Sequence, residues 1–259
     1  MKVKTNLLCM AAAFALAMPA CAAGPAQPRS PKSAIKLLAR QKEAGLATIT
    51  ENAARAHVYF LADDLLEGRR AGQRGSRIAK QYIISRLREA GVKPLFGDTY
   101  EQPFQAYADQ KLKRGVRFFV DADSIAQIKK HVHQRMDLSN VLGVIPGRRS
   151  DEIVVVGAHL DHEGMYADVA GDNIYNGADD NASGVTAVLQ IIKAFAESGA
   201  TPERTIVFAF WDGEEFGLLG SKYFVNHYAD ISKVKGYLNF DMVGGNNKPE
   251  DPTYMVYFY

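Results

Sequence analysis

The sequence predicts an α/β fold: three layers, α/β/α, around a mixed, mostly parallel central sheet. Three observations carry that expectation. Over the second half of the chain, apolar β-branched runs alternate with segments of helical period, as when crossover helices join the strands of a sheet. Motifs rich in Gly, Asp, Glu and His follow directly after those runs. Open α/β sheets bind their ligands there, at the carboxyl ends of strands. The composition, 259 residues with 47% hydrophobic and 23% charged, is that of a globular chain with room for a sizeable core.

The elements follow in order. Thr50 to Leu66 reads as a helix with Thr50 as N-cap. Ser76 to Ala90 is a clearer helix, since Ile83 and Leu87 share a face and Gly91 follows as a stop. Phe104 to Tyr107 and Val116 to Val120 have the character of short strands, a meander at a sheet edge. Asn140 to Ile145 and Glu152 to Val156 are apolar strand-like runs separated by a Pro-Gly turn. Gly184 to Phe195 is a helix with Val185, Val188, Ile192 and Phe195 near helical spacing. Thr205 to Phe210 is a strand, Phe216 to His227 a helix, Val234 to Asp241 a strand, and Thr253 to Tyr259 a last one.

The N-terminus differs. Lys2 and Lys4 precede an apolar stretch from Leu7 to Met18, and Pro19-Ala20-Cys21-Ala22-Ala23 then offers small residues. This predicts a signal peptide over residues 1–22 and an exported protein, periplasmic or extracellular. A lipidated Cys21 on an outer-membrane protein is the alternative, although Met18-Pro19-Ala20 is a poor lipidation motif. Residues 23–49 are expected to form a Pro-rich linker and an N-terminal helical segment, and 50–259 the main domain. The two cysteines, Cys9 and Cys21, lie in or beside the leader, so the domain has no disulfide and no thiolate ligand. A net charge of +2 gives no reason to expect nucleic acid as partner. No later apolar run reaches the roughly 18–20 residues of a membrane span.

The chemistry lies in four motifs. His159 ends the run Ile153-Val154-Val155-Val156, with Asp161 two residues on, close enough to orient its ring. Asp179-Asp180-Asn181 lies in a Gly/Asn-rich loop before the helix that Ala182-Ser183-Gly184 opens. Glu214 and Glu215 are adjacent, so one can bind a metal while the other faces substrate. Asp241 ends the strand through Leu238 and Phe240. Singly, each is ordinary: Asp and Asn favour turns and helix caps, and a Glu pair suits a helix N-terminus. Together they make a mixed N/O ligand set that suits zinc, plus a free carboxylate for proton transfer. His57, His131, His133 and His227 lie in helical or polar segments and read as surface residues. His162 is a weaker candidate for contact with the site, and Trp211 is expected to pack rather than stack on substrate.

The runs Gly157-Ala158-His159-Leu160-Asp161, Gly177 to Gly184, Asp212-Gly213-Glu214-Glu215-Phe216-Gly217 and Asn239-Phe240-Asp241-Met242-Val243-Gly244 stand in the order of the M28 family of co-catalytic zinc metallopeptidases, which includes bacterial leucyl-type aminopeptidases. The chain resembles that family densely over residues 138–244. Leu61-Ala62-Asp63-Asp64-Leu65-Leu66-Glu67-Gly68-Arg69 is also similar to the N-terminal part of its exported members. The resemblance implies a zinc exopeptidase fold and peptide substrates, with removal of N-terminal residues as the activity. It implies that His159 and Asp241 bind one zinc with a bridging Asp180, whose bond to Asn181 is cis. Glu215 would bind a second zinc, Glu214 would act as general base and acid, and Asp161 would orient His159. The family's fifth ligand is a histidine well beyond Asp241, but no histidine follows His227. The sequence is therefore read as C-terminally incomplete, with its second zinc site incomplete. Alternatives are a glutaminyl cyclase or carboxypeptidase relative and a non-catalytic zinc-binding remnant.

Overall fold

The computed structural model describes residues 30–110 and 116–245. The signal segment with Cys21, and the expected strand Thr253 to Tyr259, lie outside them. The chain divides into two compact units, 1–39 and 40–259. Helix α1, Pro31–Leu46, opens on a proline, which has no N–H to lose at a helix start.

Within the second unit the order is α2 (Glu51–Leu61), α3 (Arg74–Glu89), β1 (Lys93–Pro94), β2 (Glu101–Asp109), α4 (Ala122–Ile128), β3 (His133–Ile145), β4 (Arg149–His159), β5 (Gly164–Met165), β6 (Ile174–Tyr175), α5 (Gly184–Ser198), β7 (Arg204–Trp211), α6 (Leu219–His227) and β8 (Val234–Asn239). The Thr50 hydroxyl caps α2 by accepting from the Ala53 N–H. The helix stops at Leu61 rather than Leu66, because Asp63 starts a new 3₁₀ segment, Asp64–Arg69, by accepting from the Leu65 N–H. Helix α6 begins at Leu219 rather than Phe216, because Gly217 (φ 100°) and Leu218 (φ 61°) are left-handed. Residues 116–120 do not form the expected strand. Their backbone pairs with β2 only at the single bridge Tyr107–Phe119, and β2 pairs with β3 instead.

The sheet runs β1-β3-β7-β4-β8, with β2 also paired to β3. It is mixed as expected, but among the described residues it is not mostly parallel: β4 is parallel to β7 and β8, while β3 is antiparallel to β1, β2 and β7, because β3 pairs with its sequence neighbours β1 and β2 without a crossover connection. The Pro-Gly turn after Ile145 does not make a hairpin, since β7 lies between β3 and β4.

The alternation of side chains along a strand makes the layers. Val141, Val156, Ala158, Phe208 and Phe210 face a core shared with Ile83 and Leu87 of α3 and Val185, Val188 and Ile192 of α5. Leu142, Val155, Val207, Ala209 and Trp211 face the other way, onto Phe224 of α6. Ile83 and Leu87 are fully buried, as their shared face predicts. Truncating Leu87 to Ala would cost about 2–5 kcal/mol. Among the described residues no helix is long and apolar enough to cross a membrane.

Candidate metal centre

The parallel half of the sheet brings the ends of β4, β7 and β8 to one edge, and the four motifs converge there. His159 is buried at the end of β4. Its Nδ1 lies 3.1 Å from the main-chain carbonyl of Asp161. A carbonyl only accepts, so Nδ1 carries the proton and Nε2 is left to face the site. Nε2 lies 3.1 Å from Asp180 Oδ1 and 3.3 Å from Asp241 Oδ1. Burial works against a charged ring, but the carboxylates of Asp180 and Asp241 outweigh it and push the His159 pKa up to about 11.

The Asp161 contact differs from the sequence expectation in one respect. The residue meets His159 through its carbonyl, while its carboxylate oxygen is 3.9 Å from Nδ1. That carboxylate instead accepts the main-chain N–H groups of Glu214 (3.0 Å) and Glu215 (3.4 Å), fixing the turn that carries both glutamates. Burial, with Asp212 nearby, pushes the Asp161 pKa up to about 7.

The turn after β7 is made by Gly213 at φ 74°. A Cβ there would meet Leu138 and Leu219 side chains at 3.1–3.3 Å. Just before it, Asp212 is fully buried and paired with Lys80 of α3 at 2.7 Å. It also accepts from the Ser139 N–H at 3.0 Å and the Ser76 hydroxyl at 3.4 Å.

The loop before α5 turns Asp180, not Asp179, toward His159. Asp179 is used on the β8 side, where its carboxylate accepts the Gly244 N–H at 2.7 Å. The Asp180–Asn181 bond is cis. The Asn181 amide donates to the Phe240 carbonyl at 3.0 Å, and its oxygen accepts from Gly184 and Met242 N–H. Asn181 thereby ties the Asp180 loop to the turn that carries Asp241.

Sequence reasoning underweighted one neighbour and missed another. His162 Nδ1 lies 2.8 Å from Glu215 Oε1 and 3.8 Å from Asp180 Oδ2. Its place directly after Asp161, in the same motif, was the available signal. Arg69 is fully buried behind the Asp180 loop. Burial pulls its pKa down to about 10, which still leaves it charged at neutral pH. Its signal was the acidic run Asp63 to Arg69. His131 and His133 are exposed, and His57 packs against the Tyr82 hydroxyl at 2.8 Å. Trp211 is buried and donates to the Tyr237 hydroxyl at 2.7 Å.

His159, Asp180 and Glu215 each offer a ligand atom, and these atoms lie within 4.8 Å of one another. Asp180 Oδ1 is buried and makes no hydrogen bond, although it lies close to Nε2. A buried, unbonded carboxylate oxygen is costly unless something satisfies it. One imidazole nitrogen with several carboxylate oxygens, short of partners, is the donor set of a divalent cation. Glu214 is half-buried, and burial raises its pKa. It borders a cavity of about 180 Å³ with His159, Trp211, Tyr237 and Asp241. The arrangement can hold a cation beside a carboxylate suited to exchanging protons.

Residues 140–257 match the model of peptidase family M28. Leupeptin-inactivating enzyme 1 of Streptomyces exfoliatus is 38% identical over 120 residues, which are 46% of this chain and 24% of that protein. Leucine aminopeptidase 1 of Trichophyton equinum is 41% identical over 110 residues, 40% of this chain and 29% of that protein. The chain thus spans about a quarter of the length of these curated relatives. The crystal structure of the Legionella pneumophila LapA aminopeptidase shares the fold at a TM-score of 0.53 and 20% identity, over 85% of this chain and 49% of that one.

Proposed function

We propose, on the premise that over residues 140–257 the chain is of peptidase family M28, that it is a metal-dependent exopeptidase releasing N-terminal residues from peptides. One observation carries this reading: His159, Asp180 and Glu215 converge around a buried Asp180 oxygen that has no hydrogen bond. The names of the relatives, a leucine aminopeptidase and a leupeptin-inactivating enzyme, support peptide substrates.

His159, Asp180, Asp241 and Glu215 are the residues that would hold zinc. When bound, zinc supplies an electrophile that polarises a peptide carbonyl and acidifies water. The chain's own residues do the rest. The Asp161 carbonyl holds the Nδ1 proton of His159, so Nε2 stays available as a ligand. Asp161's carboxylate fixes the Glu214–Glu215 turn. Glu214, its pKa raised by burial, takes a proton from the attacking water and passes it to the leaving amine as the C–N bond breaks. The basic-then-apolar start of the sequence supports export of the protein.

The test is metal content per chain together with hydrolysis of amino-acid p-nitroanilides and of an N-acetylated peptide. Bound zinc, with turnover of free-amine substrates that a chelator abolishes, is the expected result. Turnover of the blocked peptide from its C-terminus would move the reading to a carboxypeptidase. A folded chain with neither zinc nor turnover would overturn it.

A further inference from the structure

We infer that Arg69 is the positioning residue of the metal centre, the group that sets the Asp180 loop against the end of β4. This rests on reading His159, Asp180 and Glu215 as metal ligands. A guanidinium has five N–H donors in a rigid planar fork. Here they reach five main-chain carbonyls. Nε donates to Leu160 at 3.0 Å, and Nη1 to Leu61 and to Asn176 at 2.7 Å. Nη2 donates to Gly177 at 2.9 Å and to Asp180 at 3.5 Å. Leu160 adjoins His159, and Asn176 to Asp180 is the loop that delivers the Asp180 carboxylate. One flat group therefore fixes the distance between two segments that supply ligands. The Arg69 carbonyl also accepts the His162 N–H at 3.3 Å, so the segment behind Glu215 hangs on the same residue.

The surroundings are cut to fit this side chain. Gly177 adopts φ 60°, and a Cβ there would lie 2.7 Å from Nη2. Gly68 adopts φ 64°, and a Cβ there would lie 2.4 Å from the Gly164 carbonyl. Arg69 itself is left-handed at φ 50°. A space-filling role alone would be met more cheaply by an apolar side chain, since a buried cation carries a desolvation cost. The nearby carboxylates of Asp161, Asp180 and Glu215 favour its charge.

The experiment compares the unsubstituted chain with Arg69→Lys, which keeps stem and charge but loses the fork. Leu87→Ala is a destabilised control in the core. Each is loaded with cobalt, and affinity by chelator competition, the visible absorption band and the unfolding midpoint are recorded. Arg69→Lys is expected to bind cobalt about 10–100-fold more weakly with an altered band, as when a residue supporting metal ligands is lost. Leu87→Ala is expected to lose stability and keep both. An Arg69→Lys chain that loses only stability, with affinity and band unchanged, overturns the inference and leaves the metal reading intact. Arg69→Gln is the second variant. If both fail to fold where Leu87→Ala folds, Arg69 is structural and the inference falls. An unsubstituted chain that takes up no cobalt removes the metal reading itself, and this inference with it.

Discussion

Two acidic centres flank the turn from Asp212 to Glu215, and they are finished in opposite ways. Asp212 is fully buried and fully answered, by the Lys80 ammonium, the Ser139 N–H and the Ser76 hydroxyl. Asp180, a short way across the same sheet edge, keeps a buried oxygen with no hydrogen bond, its near neighbour being His159 Nε2 at 3.1 Å. They differ in exposure, since the Asp212 side chain is fully buried and that of Asp180 is 34% exposed, and they differ in how fully their oxygens are hydrogen-bonded. A closed network rigidifies the turn that presents the glutamates, whereas an open one is a place for a ligand. The contrast also follows the sheet: Ser139 lies on an antiparallel strand, while His159 and Asp241 lie at the ends of parallel β4 and β8.

Substitutions can break or sharpen that contrast. The largest effect is expected at Glu214, which belongs to neither network. Glu214→Gln should lower kcat by about 10²–10⁴-fold with metal content unchanged. Retained turnover in steady-state assays would remove its assigned role. Next comes the closed centre. Lys80→Met strands the Asp212 carboxylate and should cost about 3–5 kcal/mol in urea unfolding, while the fraction that folds still binds metal. A stability within error of the parent would mean that the two centres do not differ as argued. At the open centre the pattern should invert. Asp180→Asn should abolish tight metal binding yet leave metal-free stability within about 1 kcal/mol of the parent, because the Asp180 side chain is partly exposed and the worth of its pairing with His159 is reduced by solvent. A large loss of stability would show that Asp180 is structural after all.

The smallest effect lies outside both centres. Burial lowers the His57 pKa below its ordinary value of 6.5. The folded state therefore binds fewer protons than the unfolded state near that pH, and stability rises with pH through the window. The contribution is present above about pH 6.5 and lost as pH falls through the lower folded value. In metal-free protein, His57→Gln should flatten the stability profile between about pH 5 and 7. An unchanged slope in thermal melts would assign the dependence to other groups.

The legible part of this molecule was what periodicity and strand ends encode. Helix α3 with its Ile83–Leu87 face, helix α5, and strands β3, β4, β7 and β8 could each be read from local spacing. The alternation of Phe208 and Phe210 against Val207 and Ala209 gives the two core layers directly. His159, Glu214, Glu215 and Asp241 stood out because each follows an apolar run, and Asp180 because it lies in a Gly/Asn-rich loop before a helix. Strand order did not follow, because nothing local says that β7 inserts between β3 and β4. The helix starts at Phe216 and the strand at Val116 failed for related reasons. Left-handed Leu218 is set by its surroundings rather than by its residue type, and a β-like run without a partner makes only one bridge. The partnerships of Lys80 with Asp212 and of Arg69 with the Asp180 loop join residues far apart in sequence. No pattern within a window of a few turns can carry them.

The Asn181 side chain has one more consequence. Among the described residues β8 has a single neighbour, β4, and the pairing slips its register between Ile153 and Val154. A strand held from one side is free to shift by one residue, and such a shift sends every side chain to the opposite face. Asp241 would then point away from His159. By gripping the Phe240 carbonyl and the Met242 N–H on either side of Asp241, the Asn181 amide works as an index pin. It lets one alignment of this strand close and leaves the others without a matching donor and acceptor.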